Sequence, residues 1–197
     1  MVNSIFSGPF DSENEIAQIV EILNKGGLVI LPTDTVWGIS CVHDNKDALE
    51  RLISLKGRPD TEGFILLVDS IEMLKKYSPR IHPRVETLLQ YHKQPLTLIS
   101  SAGPDVHHLV TASDGTVAIR VCTDPYCLEI ISRLGKPIVS TTVNKIGQNV
   151  PASFHQLDSF WIENSDFVSY HRRGEQIKNV PSVMAKFDES GELEFIR

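Results

Sequence analysis

Residues able to hold a polyanion stand at three predicted strand ends: Thr33 and Thr35; Thr116 and Arg120; and Ser140, Thr142 and Asn144. Together with Lys56, Arg58 and Arg197 they can make a polar site of excess positive potential in an otherwise acidic chain. Such a site suits a nucleotide gripped by charge-assisted hydrogen bonds. Lys56 and Arg58 flank a glycine at the end of a helix-like segment, and Pro59 prevents the helix from continuing. The bare glycine lets an anion approach the backbone. Arg58 offers a planar fork that matches phosphate, and Lys56 a mobile point charge. The same triplet equally serves as two cations relieving a helix C-terminus, and by itself it leaves both readings open. Isolated hydroxyls at strand ends are, in the same way, ordinary turn and cap residues. No P-loop spacing (GxxxxGKS or GxxxxGKT) and no GxGxxG occurs. No Ser-His-Asp or Cys-His nucleophile arrangement can be picked out.

The elements that must position these residues alternate between strand and helix. Ser12 and Glu15 have the spacing of a capping box, and Ile16, Ile19, Val20 and Leu23 recur at helical spacing to about Lys25. Gly26 and Gly27 stop that helix, and Leu28 to Leu31 reads as a strand covered on both faces. Pro32 ends its ladder, so Thr33, Asp34 and Thr35 gather at the carboxyl end of a buried strand, where open α/β sheets bind ligands. Trp37 to Cys41 reads as a strand, and Ala48, Leu49, Leu52 and Ile53 as the buried stripe of the helix that delivers Lys56 and Arg58. A strand at 64–68, helices at 71–77 and from Pro83 to about Tyr91, and a strand at 95–99 follow. The segment 103–115 is polar and irregular; its adjacent His107 and His108 point apart on any regular element and read as a solvated loop, not a shared metal site. Thr116 to Val121 is a strand, Asp124-Pro125 caps a helix ended by Gly135, and Ile138 to Thr142 is another strand. Ser153 and Gln156 read as a short helix cap, and 167–171 and 192–197 as strands. The pattern is a layered α/β domain.

Composition sets the outer limits. The chain has 197 residues, 41% hydrophobic and 22% charged, with a net charge of −6, and reads as one domain, 1–197. The acidic balance argues against a general nucleic-acid-coating role. Cys41, Cys122 and Cys127 are odd in number and lack CxxC spacing, as expected of buried thiols in a reducing compartment. No basic, apolar leader and no membrane-length apolar run is seen, so the expectation is a cytoplasmic protein without membrane contact.

The stretch PTDTVWGI at 32–39 and KGRP at 56–59 resemble the YrdC-like threonylcarbamoyl-AMP synthases, whose usual patterns are PT(D/E)TVYGL and KxRP. Further likenesses are PLTLI at 95–99, TVAIRV at 116–121, IVSTTVNKIG at 138–147, VPSV at 180–183 and GELEFIR at 191–197. The resemblance implies a strongly twisted mixed β-sheet with helices on its faces and a central cleft, in a short single-domain member without the extra C-terminal domain of longer ones. It implies the union of ATP, L-threonine and bicarbonate into threonylcarbamoyl-AMP and pyrophosphate, feeding a tRNA modification, with RNA or tRNA-modification proteins as further partners. Lys56 and Arg58 would be catalytic. Lys56, Arg58, Ser140, Thr142, Asn144 and Arg197 would hold the nucleotide, and Thr33, Thr116, Arg120 and Ser182 would surround threonine. Mg2+ would come with ATP, since no dedicated protein ligand set is evident.

The chain departs from the family pattern at several places: Glu62, Thr142, Ile146, Val183, and Arg172-Arg173, the last where the family often has an acidic or glycine-rich turn. Two other readings follow. One is an RNA-binding module that grips phosphate with Arg51, Lys75, Lys76, Arg172 and Arg173; the other is a nucleotide-binding paralogue without synthase activity.

Overall fold

A computed structural model describes residues 12–57, 64–145, 147–176, 181–187 and 192–196. Six helices can be followed: α1 (Ser12–Asn24), α2 (Lys46–Lys56), α3 (Ile71–Tyr77), α4 (Pro83–Tyr91), α5 (Pro125–Leu134) and α6 (Ser159–Glu163). The strands are β1 (Val29–Pro32), β2 (Trp37–Val42), β3 (Ile65–Val68), β4 (Leu96–Ser101), β5 (Thr116–Val121), β6 (Ile138–Thr142), β7 (Phe167–Val168), β8 (Val183–Phe187) and β9 (Leu193–Phe195). They form one mixed sheet in the order β7-β1-β2-β6-β3-β5-β4-β8-β9. β3–β5, β4–β8 and β1–β7 are parallel, and the other pairs antiparallel.

Local chemistry sets the helix ends. Asn45 caps α2 by accepting from the Ala48 N–H, and Gly57 closes it in the left-handed region (φ 57°), where its own N–H reaches the Ile53 and Ser54 carbonyls. Asp124 with Pro125 opens α5, and Gly135 (φ 66°) closes it in the same way. The expected capping box at Ser12 is not formed. Ser12 already lies inside α1, and Glu15 turns inward, where Oε1 accepts from the Tyr126 and Ser169 hydroxyls and the Tyr170 N–H. These contacts tie α1 to α5 and to the segment after β7.

The polar turn expected after β1 leads into the expected strand at Trp37: β2 returns antiparallel, with Pro32 opposite Trp37, so 33–36 is a hairpin turn. The strand expected over 167–171 stops at Val168, because the Ser169 side chain and the Tyr170 N–H are drawn to Glu15. His107 and His108 lie in a loop, as expected, and there their rings stack 4.4 Å apart.

Strand register sorts the two sheet faces. Trp37, Ile39, Cys41, Val139, Leu66, Val117 and Ile119 share one face and are fully buried. Gly38, Ser40, Ser140, Thr142, Ile65, Thr116, Ala118, Arg120 and Thr97 share the other. On that second face Ile65, Ala118, Thr116 and Thr142 are only half-buried, although they sit on central strands. Small and hydroxylic residues here leave room above the sheet that the branched side chains of the first face fill.

The sheet is folded across its diagonal. The register makes Arg120 level with Leu67, Ile138 and Val42. In a flat sheet it would stand three strands from β2, about 14 Å, and five residues along, about 16 Å, from the start of that strand. Its Nη2 is nevertheless 3.0 Å from Asp34 in the β1–β2 turn. Only strong twist and coiling brings such corners together, and the turn then lies over the open face.

One pH effect arises at the other end of β2. His43 is buried, its Nε2 lies 3.2 Å from the Tyr77 hydroxyl, and its Nδ1 has no partner among the described residues. Burial lowers its pKa below the usual 6.5; Asp44 and Asp105 oppose that shift, and Lys136 and His107 add to it. The folded state therefore binds the proton less readily than the unfolded state. Stability is fully present above about pH 6.5 and is lost as pH falls through the lower folded value. Urea unfolding from pH 7 to about 5 should show this decline, and His43→Phe should flatten it.

Candidate functional site

The turn 33–36 is built around one hydroxyl. Thr33 Oγ1 donates to the Val36 carbonyl (2.8 Å) and accepts from the Thr35 and Val36 N–H groups (3.2 Å each). That leaves the Thr33 methyl facing Gly38. A Cβ at Gly38 would meet Ser140 Oγ at 2.5 Å and Thr33 Cγ2 at 3.6 Å. The glycine thus lets the turn and β6 close on each other over the open face.

Arg120 holds the turn from the far side of the sheet. Its Nη2 lies 3.0 Å from Asp34 Oδ1 and donates to Thr35 Oγ1 at 3.3 Å. Both members of the ion pair are almost fully buried, at 5% and 4% side-chain exposure. Asp34 Oδ1 makes no well-aligned hydrogen bond despite that distance, so the attraction is chiefly Coulombic. Arg120 Nε has no partner among the described residues. Asp34 Oδ2 accepts from the Thr123 N–H and hydroxyl, each at 3.3 Å. Thr97 stands directly opposite Arg120 on β4, and its hydroxyl lies 2.8 Å from that of Ser182.

A second group gathers where β6 ends. Lys56, at the last turn of α2, is 8% exposed and donates to the Thr142 carbonyl (2.8 Å) and the Asn144 carbonyl (2.6 Å). Its ammonium also lies 5.5 Å from the centre of the Trp161 ring, in cation–π range. Asn144 Oδ1 accepts from the Thr142 hydroxyl, and its amide nitrogen donates to the Gln148 carbonyl. Lys56 thereby ties the chain at Thr142 and Asn144 to the end of α2.

Of the residues expected around an amino acid, Thr33, Arg120 and Ser182 come together with Asp34, Thr35 and Thr97. Thr116 does not join them. It lies four residues back along β5, about 13 Å away, level with Thr142, and its hydroxyl is bonded to Asp114 at 2.6 Å. Of the residues expected around a nucleotide, Lys56, Ser140, Thr142 and Asn144 are neighbours. Arg58 and Arg197, and the departures at Glu62 and Ile146, lie outside the described residues.

Sequence reasoning missed Asp34 as the partner of Arg120, along with Thr123, Trp161 and Arg172. Asp34 was visible inside its motif; the others reach the site from segments with no spacing that marks them.

Most of the cations expected to grip RNA are already engaged. Arg51 pairs with Asp166 at 2.6 Å and Lys75 with Glu86 at 2.7 Å. Arg172 pairs with Asp124 and Glu175. Arg173 donates to the Val168 and Ser169 carbonyls and stacks on Phe154 and Tyr170. Paired with carboxylates, or in the case of Arg173 tied to carbonyls and rings, they make a poor phosphate track, and the RNA-binding reading is not favoured. Among the described residues no group of three or more His, Cys, Asp or Glu could hold a metal ion, and no helix is long and apolar enough to cross a membrane.

The chain is 34% identical over 147 residues to the threonylcarbamoyl-AMP synthase of Vibrio vulnificus strain YJ016, covering 73% of this chain and 79% of that one. It is 32% identical over 174 residues to the threonylcarbamoyl-AMP synthase of Saccharophagus degradans, covering 86% and 88%. Among solved structures, P. abyssi Sua5 complexed with L-threonine superposes with a TM-score of 0.82 at 24% identity, over 91% of this chain and 52% of that one. E. coli YciO superposes with a TM-score of 0.80 at 23% identity, over 96% and 90%. This chain thus spans about half the length of Sua5 and most of YciO. The sequence model of the Sua5/YciO/YrdC family, described as telomere recombination, matches residues 21–197. With that match over nearly the whole chain and the same folded sheet beneath it, the protein is a member of the Sua5/YciO/YrdC family.

Proposed function

We propose that residues 1–197 form one YrdC-like domain that acts as an L-threonylcarbamoyladenylate synthase, a nucleotidyltransferase serving tRNA threonylcarbamoyladenosine modification. The identity to threonylcarbamoyl-AMP synthases along most of both chains carries this reading. The open, hydroxyl-lined sheet face supports it, because it offers two adjoining polar groups, one for each half of the product.

The chemistry needs no protein nucleophile. The threonine amine adds to bicarbonate, and loss of water leaves a carbamate. A carbamate oxygen attacks the α-phosphorus of ATP, the bond to the bridging oxygen breaks, and pyrophosphate departs with the electron pair. Such an in-line displacement depends on positioning and charge neutralisation. In this reading Lys56, Arg58, Ser140, Thr142, Asn144 and Arg197 serve the nucleotide, with Lys56 and Arg58 as the catalytic cations and Thr116 level with this group. Thr33, Arg120 and Ser182 frame threonine. Mg2+ would come bound to the phosphates of the ATP substrate. The threonylcarbamoyl-AMP leaves for a tRNA-modification partner in the cytoplasm.

Pyrophosphate release should require ATP, L-threonine and bicarbonate together. Equal release with threonine omitted would reject the synthase reading.

A further inference from the structure

Arg172 has a positive φ, 59°, unlike any other non-glycine residue among those described. A side chain in this region is strained by contact of Cβ with the backbone, so the position ordinarily favours glycine. A glycine-rich turn at this place needs no explanation, but an arginine does. Its guanidinium makes three contacts from the strained position. Nη1 donates to Asp124 Oδ2 at 3.1 Å and to the Thr33 carbonyl at 3.4 Å, and Nε donates to Glu175 Oε2 at 2.8 Å. Asp124 is the N-cap of α5, and its other oxygen accepts from the Cys127 N–H. Thr33 opens the turn over the open face.

We infer that Arg172 is a positioning residue that clamps the β1–β2 turn over the site by tying the Thr33 carbonyl to the start of α5. The turn is then held from three directions. Arg120 grips Asp34 and Thr35 from across the sheet, Thr123 donates to Asp34 from the β5–α5 connection, and Arg172 holds Thr33 from the segment after β7. The first two grips act through side chains of the turn, whereas Arg172 alone of the three fixes its backbone carbonyl. Glu175 holds the guanidinium at Nε, and Asp124 shares Nη1 with the Thr33 carbonyl, so the two carboxylates make it an anchored donor and not a free cation.

The substrate arm of the test rests on the synthase reading; the other arm does not. Arg172→Gly relieves the backbone strain while deleting the clamp, and Arg172→Lys keeps a cation with one donor group. In the protein without substrates, amide hydrogen exchange of Thr35 and Val36, whose N–H groups bond Thr33 Oγ1, should quicken about ten-fold in Arg172→Gly, the scale of one lost charge-assisted hydrogen bond. The melting temperature should hold or rise, since glycine suits the conformation. The threonine KM should climb about ten-fold while the ATP KM moves less than about two-fold, and Arg172→Lys should fall between. Unchanged exchange at Thr35 and Val36 overturns the clamp. So does a fall in melting temperature with both KM values rising together. If the unaltered protein shows no threonine-dependent pyrophosphate release, the synthase reading fails by itself, and the exchange arm alone still decides the clamp.

Discussion

Arg120→Met should cost about 3–5 kcal/mol of folding stability, the scale of breaking a buried ion pair by removing one partner. Asp34 and Arg120 are both at least 95% buried as side chains, so solvent screening does little to soften the loss. The methionine restores most of the apolar stem but, among the described residues, leaves the Asp34 carboxylate with two long contacts from Thr123. The turn loses its tie to β5, and threonine affinity should fall with it, whereas Lys56 and the β6 group are untouched. Adding Asp34→Leu should recover much of the stability, because an apolar pair of similar volume is often as stable as the ion pair it replaces. It should not recover threonine affinity. Urea unfolding of the parent, both single variants and the double variant, with threonine titrated calorimetrically into each folded protein, reads all of this. An Arg120→Met protein as stable as the parent would sink the idea that this pair holds the fold's diagonal together.

Lys56→Met should strike the other half of the site. The Nζ atom serves the carbonyls of two residues in one loop and rests against Trp161. Its removal deletes two short hydrogen bonds from a charged donor, each worth about 1.5–3 kcal/mol, and a longer one to Asn144 Oδ1, while water entering beside the half-buried Thr142 offsets part of the loss. A net destabilisation of about 2–4 kcal/mol is expected. Pyrophosphate formation should fall by at least about a hundred-fold, since both a catalytic cation and the tie to Thr142 and Asn144 are lost. Lys56→Arg keeps the charge but carries a planar fork where a compact ammonium now meets two carbonyls, so it should restore stability more than activity. Recovery of both to the parent level would mean that Lys56 is only a helix-end cation.

What the sequence determined by itself was local. Helix ends at Asn45 and Gly57, and at Asp124 and Gly135, follow from side-chain capping and left-handed glycine geometry, which need only neighbouring residues. Most strands were legible because their apolar runs are short and bounded by turn residues. The spacing of the PTDTVWGI and KGRP stretches was enough to reveal the family.

Tertiary structure decided everything that depends on register and curvature. Alternation along β5 puts Thr116 and Arg120 on one face, but only pairing with β3 and β4 shows that they serve opposite ends of it. The Asp34–Arg120 pair joins residues 86 positions apart through the fold of a twisted sheet, and no local pattern encodes that closure. Glu15 looks like a capping residue until α5 and the segment after β7 supply its partners. Arg172 and Arg173 look like free positive charge until the carboxylates that pair with the first and the carbonyls that hold the second are in place. Capping is settled within one turn of chain, whereas the partner of a buried charge is chosen by whichever distant segment folds against it.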